Sequence, residues 1–335
     1  MVDGGAKLRG KYKVFGLVID TPVLLPEAMP VEPDTKADVK VTLVSSIDGL
    51  SIDEDFNYAR ETRTWWFTVM PDCRTLFNCS AGLFEIKGGV EVNIFLYPDA
   101  EEETIKIFLL GSAMGAIQIQ RGRIPIHGGA VVTKNGAMII TGKQGSGKST
   151  MTSAFVHNGY KYITDDVSSI IIDNEQAFII PAYPQRKLVR DACDPLGFEP
   201  DNLIQVDIER DKFAVRDKIN WQSEPVILSS IIELYPGTYD DKITAELVTG
   251  RDKLNCVTGS LYRSWMHLSA ENALQPTDIQ NILKIASQAD IFRIKVPRNI
   301  AGITSIAKDI AEIVRDQNYY RKLLFSDYFI EELKK

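Results

Sequence analysis

Gly142-Lys143-Gln144-Gly145-Ser146-Gly147-Lys148-Ser149 decides how this chain is read. The spacing G-x-x-x-x-G-K-S is that of a phosphate-binding loop. Its glycines let the backbone curl so that successive N–H groups point inward at an anion. Lys148 is placed to reach the β- and γ-phosphates of a nucleotide, and the Ser149 hydroxyl to ligate Mg²⁺. Ala137 to Thr141 is a short apolar run that reads as a buried strand. Ser149 to Val156 reads as a helix, which sets the phosphates at a helix N-terminus. The expected nucleotide-binding set is therefore Gly142, Lys143, Gln144, Gly145, Ser146, Gly147, Lys148, Ser149 and Thr150.

Such a loop needs an acidic partner for the metal and for the acceptor hydroxyl. Asn158-Gly159 stops the helix, and Tyr160 to Thr164 reads as the next strand, ending in Asp165-Asp166. A right-handed crossover returns that strand to the same sheet, so both carboxylates arrive near the γ-phosphate position. Before the loop, Ala130 to Ile140 reads as a hairpin around Lys134-Asn135-Gly136. His127 heads that hairpin and is followed by Gly128-Gly129, which permit close backbone approach. His127 is thus placed to bond the aspartate pair and tune its proton affinity. Further on, the pattern predicts a hairpin over Val167 to Ile180, a strand over Val226 to Leu234, and helices over Pro276 to Gln288 and Ile303 to Gln317. A last helix or tail is expected over Tyr319 to Lys335.

Residues 1–120 read differently. Tyr12 to Ile19, Val39 to Val44, Thr64 to Val69, Gly82 to Ile86 and Val90 to Leu96 are short strand-like runs separated by turn residues. Glu101 to Gln120 predicts a helix joining this part to the rest. Trp65-Trp66-Phe67 admits two readings, a binding cleft or core packing, and core packing is the one adopted. At 335 residues the chain exceeds the usual size of one domain, so two are expected: a β-rich unit over 1–120 and a catalytic unit over 121–335.

A net charge of −7 argues against nucleic acid as the main partner. Met1 to Arg9 lacks the apolar stretch of a signal peptide, and Ile107 to Ile119 is shorter than the ~20 residues a membrane span needs. A cytoplasmic protein with no membrane partner is expected. The four cysteines, Cys73, Cys79, Cys193 and Cys256, have no zinc-site spacing and read as scattered thiols. Two basic stretches stay open between structural and binding roles: Arg186 with Arg190, and Arg210, Lys212, Arg216 and Lys218.

Taken in order, His127, the Gly142–Ser149 loop, Asp165-Asp166 and Val296-Pro297-Arg298-Asn299-Ile300-Ala301 resemble the HPr kinase/phosphorylase family in its catalytic domain. The last segment looks like that family's P-x-R-N-[LI]-A. The β-rich first part, with its Gly16 to Pro22 start, is similar to the HPr-kinase-like peptide serine kinases of lasso-peptide biosynthesis. The resemblance implies an α/β fold: a P-loop kinase-type core with a mixed sheet and flanking helices, preceded by a smaller β-rich domain. It implies an ATP- and Mg²⁺-dependent kinase acting on a serine of a peptide or small protein, the C-terminal serine of a lasso-peptide precursor being the specific expectation. It implies Asp165 as base, Asp166 with Ser149 as metal partners (the two aspartates being interchangeable), and Lys148 and Arg298 at the transferred phosphoryl group. A homo-oligomer is a further implication. The family's glycine-containing signature tied to dephosphorylation is not recognisable here. Three other readings stand beside this one: a kinase/phosphorylase of HPr itself, an ATP-binding switch with no acceptor, and a small-molecule kinase.

Overall fold

The computed structural model describes residues 10–46, 54–207, 210–239, 241–268 and 274–315. The run from Tyr12 to Ile19 is two strands rather than one. Phe15 and Gly16 take φ of 51° and 70°, and the chain reverses between β1 (Gly10–Val14) and β2 (Leu17–Thr21). Two residues in the left-handed region make the tight turn that matches strand twist, and apolar residues continue straight through it. There follow β3 (Met29–Pro30), β4 (Val39–Leu43), helix α1 (Glu54–Thr62), β5 (Trp66–Val69), β6 (Thr75–Cys79), β7 (Gly82–Lys87) and β8 (Glu91–Leu96). They form one sheet in the order β3-β1-β2-β4-β8-β7-β6-β5. The sequence pattern missed β6 because all five of its residues are buried, which erases the alternation.

β5 is the last strand of that sheet, and full core burial fails for Phe67 on it, 41% exposed, and for Trp65 just before it, 38% exposed. The expected helix after the sheet forms as α2 (Glu102–Phe108) and α3 (Met114–Gln120), joined by a π turn over Leu109–Ala113. Gly115 lets the Tyr262 ring lie against this helix; a β-carbon there would meet the ring at 2.8 Å.

The second sheet begins with β9 (Ile124–Thr133) and β10 (Gly136–Gly142), then helix α4 (Lys148–His157), β11 (Tyr162–Thr164), β12 (Val167–Asp173) and β13 (Gln176–Ile180). β14 (Gln185–Val189), the short α5 (Arg190–Cys193), β15 (Ile204–Asp207) and β16 (Lys212–Arg216) make a separate three-stranded sheet. β17 (Val226–Pro236), β18 (Thr244–Val248), α6 (Arg251–Gly259), α7 (Pro276–Gln288), β19 (Asp290–Val296) and α8 (Ile303–Arg315) complete the described chain. The second sheet runs β10-β9-β12-β13-β17-β19-β18, with β17 also pairing back to β10 in parallel and β11 pairing β9. The fold is mixed α/β. β11 does return to the sheet of β10, but one place removed, with the antiparallel β9 between them.

Phe155 on α4 and Ile310 on α8 are fully buried in one core cluster under this sheet, each such side chain contributing about 1.5–3 kcal/mol. Another cluster joins the two parts of the chain: Val14, Phe84 and Met114 share it with Val167, Ala182, Tyr262 and Met266. No described helix is long and apolar enough to cross a membrane. The expectation over Tyr319 to Lys335 lies outside the described residues.

Candidate functional site

β10, β17 and β19 are parallel, and their carboxyl ends, Gly142, Pro236 and Val296, come out on one side of the sheet. The glycine-rich loop leaves β10 there. Gly142, Gly145 and Gly147 take φ of 139°, 79° and 90°, a region that favours glycine. A β-carbon on Gly142 would meet the Leu234 carbonyl oxygen at 2.6 Å, whereas one on Gly145 or Gly147 would meet nothing. The first glycine thus serves close packing and the other two serve loop shape. Lys148 folds back over the loop, its Nζ donating to the carbonyls of Gly142 (2.9 Å) and Lys143 (3.0 Å). Burial lowers the pKa of its ammonium, with Lys212 adding to the effect and Asp166 opposing it. The Ser146 hydroxyl oxygen is buried with no partner.

His127 sits on the strand between the loop strand and the aspartate strand. Gly128 and Gly129 are needed there, since β-carbons would meet the Ile140 oxygen at 2.5 Å and the Thr152 hydroxyl at 2.3 Å. The Thr141 hydroxyl donates to the His127 carbonyl (2.9 Å), and the Gly128 N–H donates to the Asp166 carbonyl (2.9 Å). These bonds tie loop, histidine and aspartates into one frame. His127 Nδ1 lies 3.5 Å from Asp166 Oδ1, and Lys187 Nζ lies 3.9 Å from Asp166 Oδ2. Burial lowers the imidazole pKa although Asp166 opposes it. Burial alone would raise the Asp166 pKa, but Lys187, His127, Lys212 and Lys148 hold it below the ordinary value.

Asp165 stands apart from this group. It is 6% exposed; its Oδ2 accepts the Lys187 N–H at 2.9 Å and its Oδ1 has no partner. Burial, and then the charge of Asp166, push its carboxyl up to about 6. It lines a cavity of about 20 Å³ shared with Tyr183, Gln185 and Lys187. The open cleft, about 780 Å³, is lined instead by Gln144 to Met151, His127, Asp166, Lys187 and Arg298. The fold therefore brings His127, Lys148, Ser149, Asp166 and Arg298 to one cleft and sets Asp165 behind it. Lys143 does not line the cleft, and Gly142 contributes to it only through the loop it starts. Arg298 is held in the turn between β19 and α8, its N–H donating to the Thr238 carbonyl (3.1 Å), while Asn299 Oδ1 accepts from Gly302 N–H (3.0 Å).

The open basic residues now divide. Arg186 is 2% exposed, bonds Asp217 at 3.1 Å and lies over the Tyr162 ring, and Arg190 pairs with Asp211 at 2.7 Å; both are structural. Arg210 and Lys212 line the cleft, while Arg216 and Lys218 do not. Sequence reasoning missed Lys187, Tyr262 and Arg263, all of which line the cleft. For Lys187 a signal was present: alternation along β14 turns Arg186 inward and Lys187 to the opposite face.

Chemically, the loop offers an ammonium, that of Lys148, and an unpartnered hydroxyl, that of Ser146, to an oxyanion. Among the described residues no group of three His, Cys, Asp or Glu is placed to hold a metal. Ser149 and Asp166 offer hard oxygens in the cleft, which suits a cation that takes its remaining ligands from phosphate and water.

No family model matches the sequence, and no curated protein matches it. Among solved structures, the HPr(Ser) kinase/phosphatase from Coxiella burnetii aligns over 59% of this chain and 98% of its own, at 13% identity and a TM-score of 0.31.

Proposed function

We propose that this chain is an ATP- and Mg²⁺-dependent kinase that transfers the γ-phosphoryl group to a serine hydroxyl of a peptide or small protein. The observation that supports it is the convergence of the glycine-rich loop, Lys148, Arg298 and the His127–Asp166–Lys187 cluster on one cleft. The nucleotide phosphates take the place of the Gly142 and Lys143 carbonyls as partners of Lys148. Ser149 and Asp166 would hold Mg²⁺, which when bound neutralises charge on the β- and γ-phosphates. Asp166 is the one of the pair that lines the cleft, so it meets the acceptor serine and takes its proton. Asp165, fixed by the Lys187 N–H, stays behind the cleft. This gives Asp166, beside its metal role, the base role that the resemblance assigns to Asp165. Lys148 and Arg298 stabilise charge on the transferred group. Residues 121–335 form the catalytic unit in this reading, with 1–120 as its β-rich companion. The acceptor favoured by the resemblance is the C-terminal serine of a lasso-peptide precursor, with HPr as the alternative.

The test is phosphotransfer read by mass spectrometry, with HPr in one reaction and a precursor peptide ending in serine in another. Phosphate on the terminal serine, absent with Lys148→Ala, supports the peptide kinase; phosphate on HPr alone supports the alternative. Release of free phosphate with neither acceptor modified would sink the serine-kinase reading. Asp166→Asn removes transfer, whereas Asp165→Asn keeps a measurable rate; the opposite pattern restores the implied order.

A further inference from the structure

Outside the cleft but continuous with it lies a ridge of aromatic side chains. Phe67 stacks on Trp265 with centroids 3.9 Å apart, and Trp65 stacks on Phe108 at 6.1 Å. The Arg263 guanidinium lies 4.3 Å over the Trp65 ring. Phe108 and Arg263 also line the cleft, so the ridge begins where the cleft ends.

Three features set this ridge apart from core. Trp65 and Phe67 are more than a third exposed. Arg263 holds φ of 49°, a left-handed backbone that a non-glycine residue keeps only when its surroundings enforce it. Among the described residues Arg263 has no carboxylate at ion-pair distance. The turn that carries Trp265 is also pinned: His267 Nδ1 and Asp278 Oδ2 are 2.7 Å apart, both buried, joining that turn to α7. The platform is thus held in shape without its occupant, which lowers the ordering cost of binding.

The occupant is indicated by the strand beneath. β5 ends its sheet, and its outer edge has no strand partner among the described residues. Backbone N–H and C=O groups along an open edge match the main chain of an extended peptide, and flat aromatic faces beside it match apolar side chains. Resting on the kinase reading above, we propose that this ridge docks the acceptor polypeptide as an extended segment. One aromatic or large aliphatic residue of that segment seats against Phe67 and Trp265, at a fixed spacing from the serine in the cleft. A carboxylate of the same segment pairs with Arg263.

The experiment selects from a displayed library of random peptides of about 12 residues, a length that spans both features when extended, on the full chain with ATP and Mg²⁺. Bound peptides are sequenced and their phosphorylation is read by mass spectrometry. The expected pool carries an aromatic or large aliphatic residue at constant spacing from a serine. Peptides from it lose roughly tenfold or more in affinity for Trp65→Ser/Trp265→Ser. Phe67→Ser alone, a change at an exposed position, lowers affinity in the same direction, and ATP affinity measured by calorimetry stays the same for all variants. Phosphorylated peptides with no apolar selection, or affinities unmoved by these changes, overturn the docking site and leave the kinase. Selected peptides that depend on the ridge yet are never phosphorylated overturn the kinase and leave the docking site. An empty selection, or a dimer of this chain that Phe67→Ser dissociates, overturns the peptide ridge.

Discussion

Replacing Asp165 by Asn is expected to stabilise the protein at neutral and alkaline pH. Its carboxyl is raised from 3.8 to about 6 by burial and by the neighbouring Asp166. The native state therefore holds this proton more tightly than the unfolded chain does. The associated stability is fully present below pH 3.8 and is lost as pH rises through about 6; above that the ionised carboxylate is a constant burden. One pKa unit corresponds to about 1.4 kcal/mol, so that burden is about 3 kcal/mol. Asn does not ionise, its side-chain oxygen can keep the 2.9 Å bond from the Lys187 N–H, and its amide meets a position where Oδ1 already lacks a partner. The adjoining cavity of about 20 Å³ has room for one water to serve that amide. With an unfolding entropy of about 2.1 cal/mol/K per residue over 335 residues, about 3 kcal/mol raises Tm by about 4 °C. Thermal unfolding of both proteins from pH 4.5 to pH 8 measures this. The variant should gain at pH 8 and the gap should close toward pH 4.5. Equal midpoints throughout, or an Asn variant less stable at pH 8, would refute the assignment of a strained, buried carboxylate.

Arg186→Met removes the cation beside Asp217 at a site only 2% exposed and leaves that carboxylate with Asn220 alone, so a loss of about 3 kcal/mol is expected in urea unfolding. Gly145→Ala meets no atom and carries only the left-handed backbone penalty, about 1 kcal/mol, whereas Gly142→Ala also drives a methyl to 2.6 Å from the Leu234 oxygen and should destabilise more. Paired thermal melts separate the two. Lys187→Met removes a cation that holds the Asp166 carboxyl low, so the acidic limb of the transfer rate should move to higher pH, and Lys187→Arg should restore it. A limb that stays in place would separate Lys187 from Asp166.

What could be read from the sequence was what local chemistry fixes. The loop and its flanking strand and helix follow from glycine conformation and apolar runs, which act within a few residues, and the Asp165-Asp166 strand end follows from the crossover rule, which needs only the intervening helix α4. α7 falls on the predicted Pro276–Gln288 because its proline start and amphipathic spacing are local as well. The losses lie where neighbours decide. β6 vanished from the pattern because both its faces are covered, and the β1–β2 turn vanished because apolar residues run across it. Trp65 and Phe67 were misread because exposure depends on β5 being an edge, which no residue in Thr64 to Val69 declares.

The different fates of Asp165 and Asp166 show the same boundary within the site. Neighbours on an extended chain point to opposite sides, so the sequence could say that the two carboxylates diverge, but not which one turns to the cleft. That choice is made by β14. Its register against β16 presents the Lys187 N–H to Asp165 and leaves the Lys187 ammonium near Asp166. Lys187 lowers both proton affinities, and the pair is split by what else faces each: burial and the charge of Asp166 hold the Asp165 carboxyl up at about 6, whereas Lys187, His127, Lys212 and Lys148 together hold that of Asp166 below its ordinary value. A pair of like acids whose proton affinities are pushed apart is what division of labour in a phosphoryl-transfer site requires. Here the cation that lowers Asp166 most, Lys187, comes from a strand outside the sheet that carries the loop.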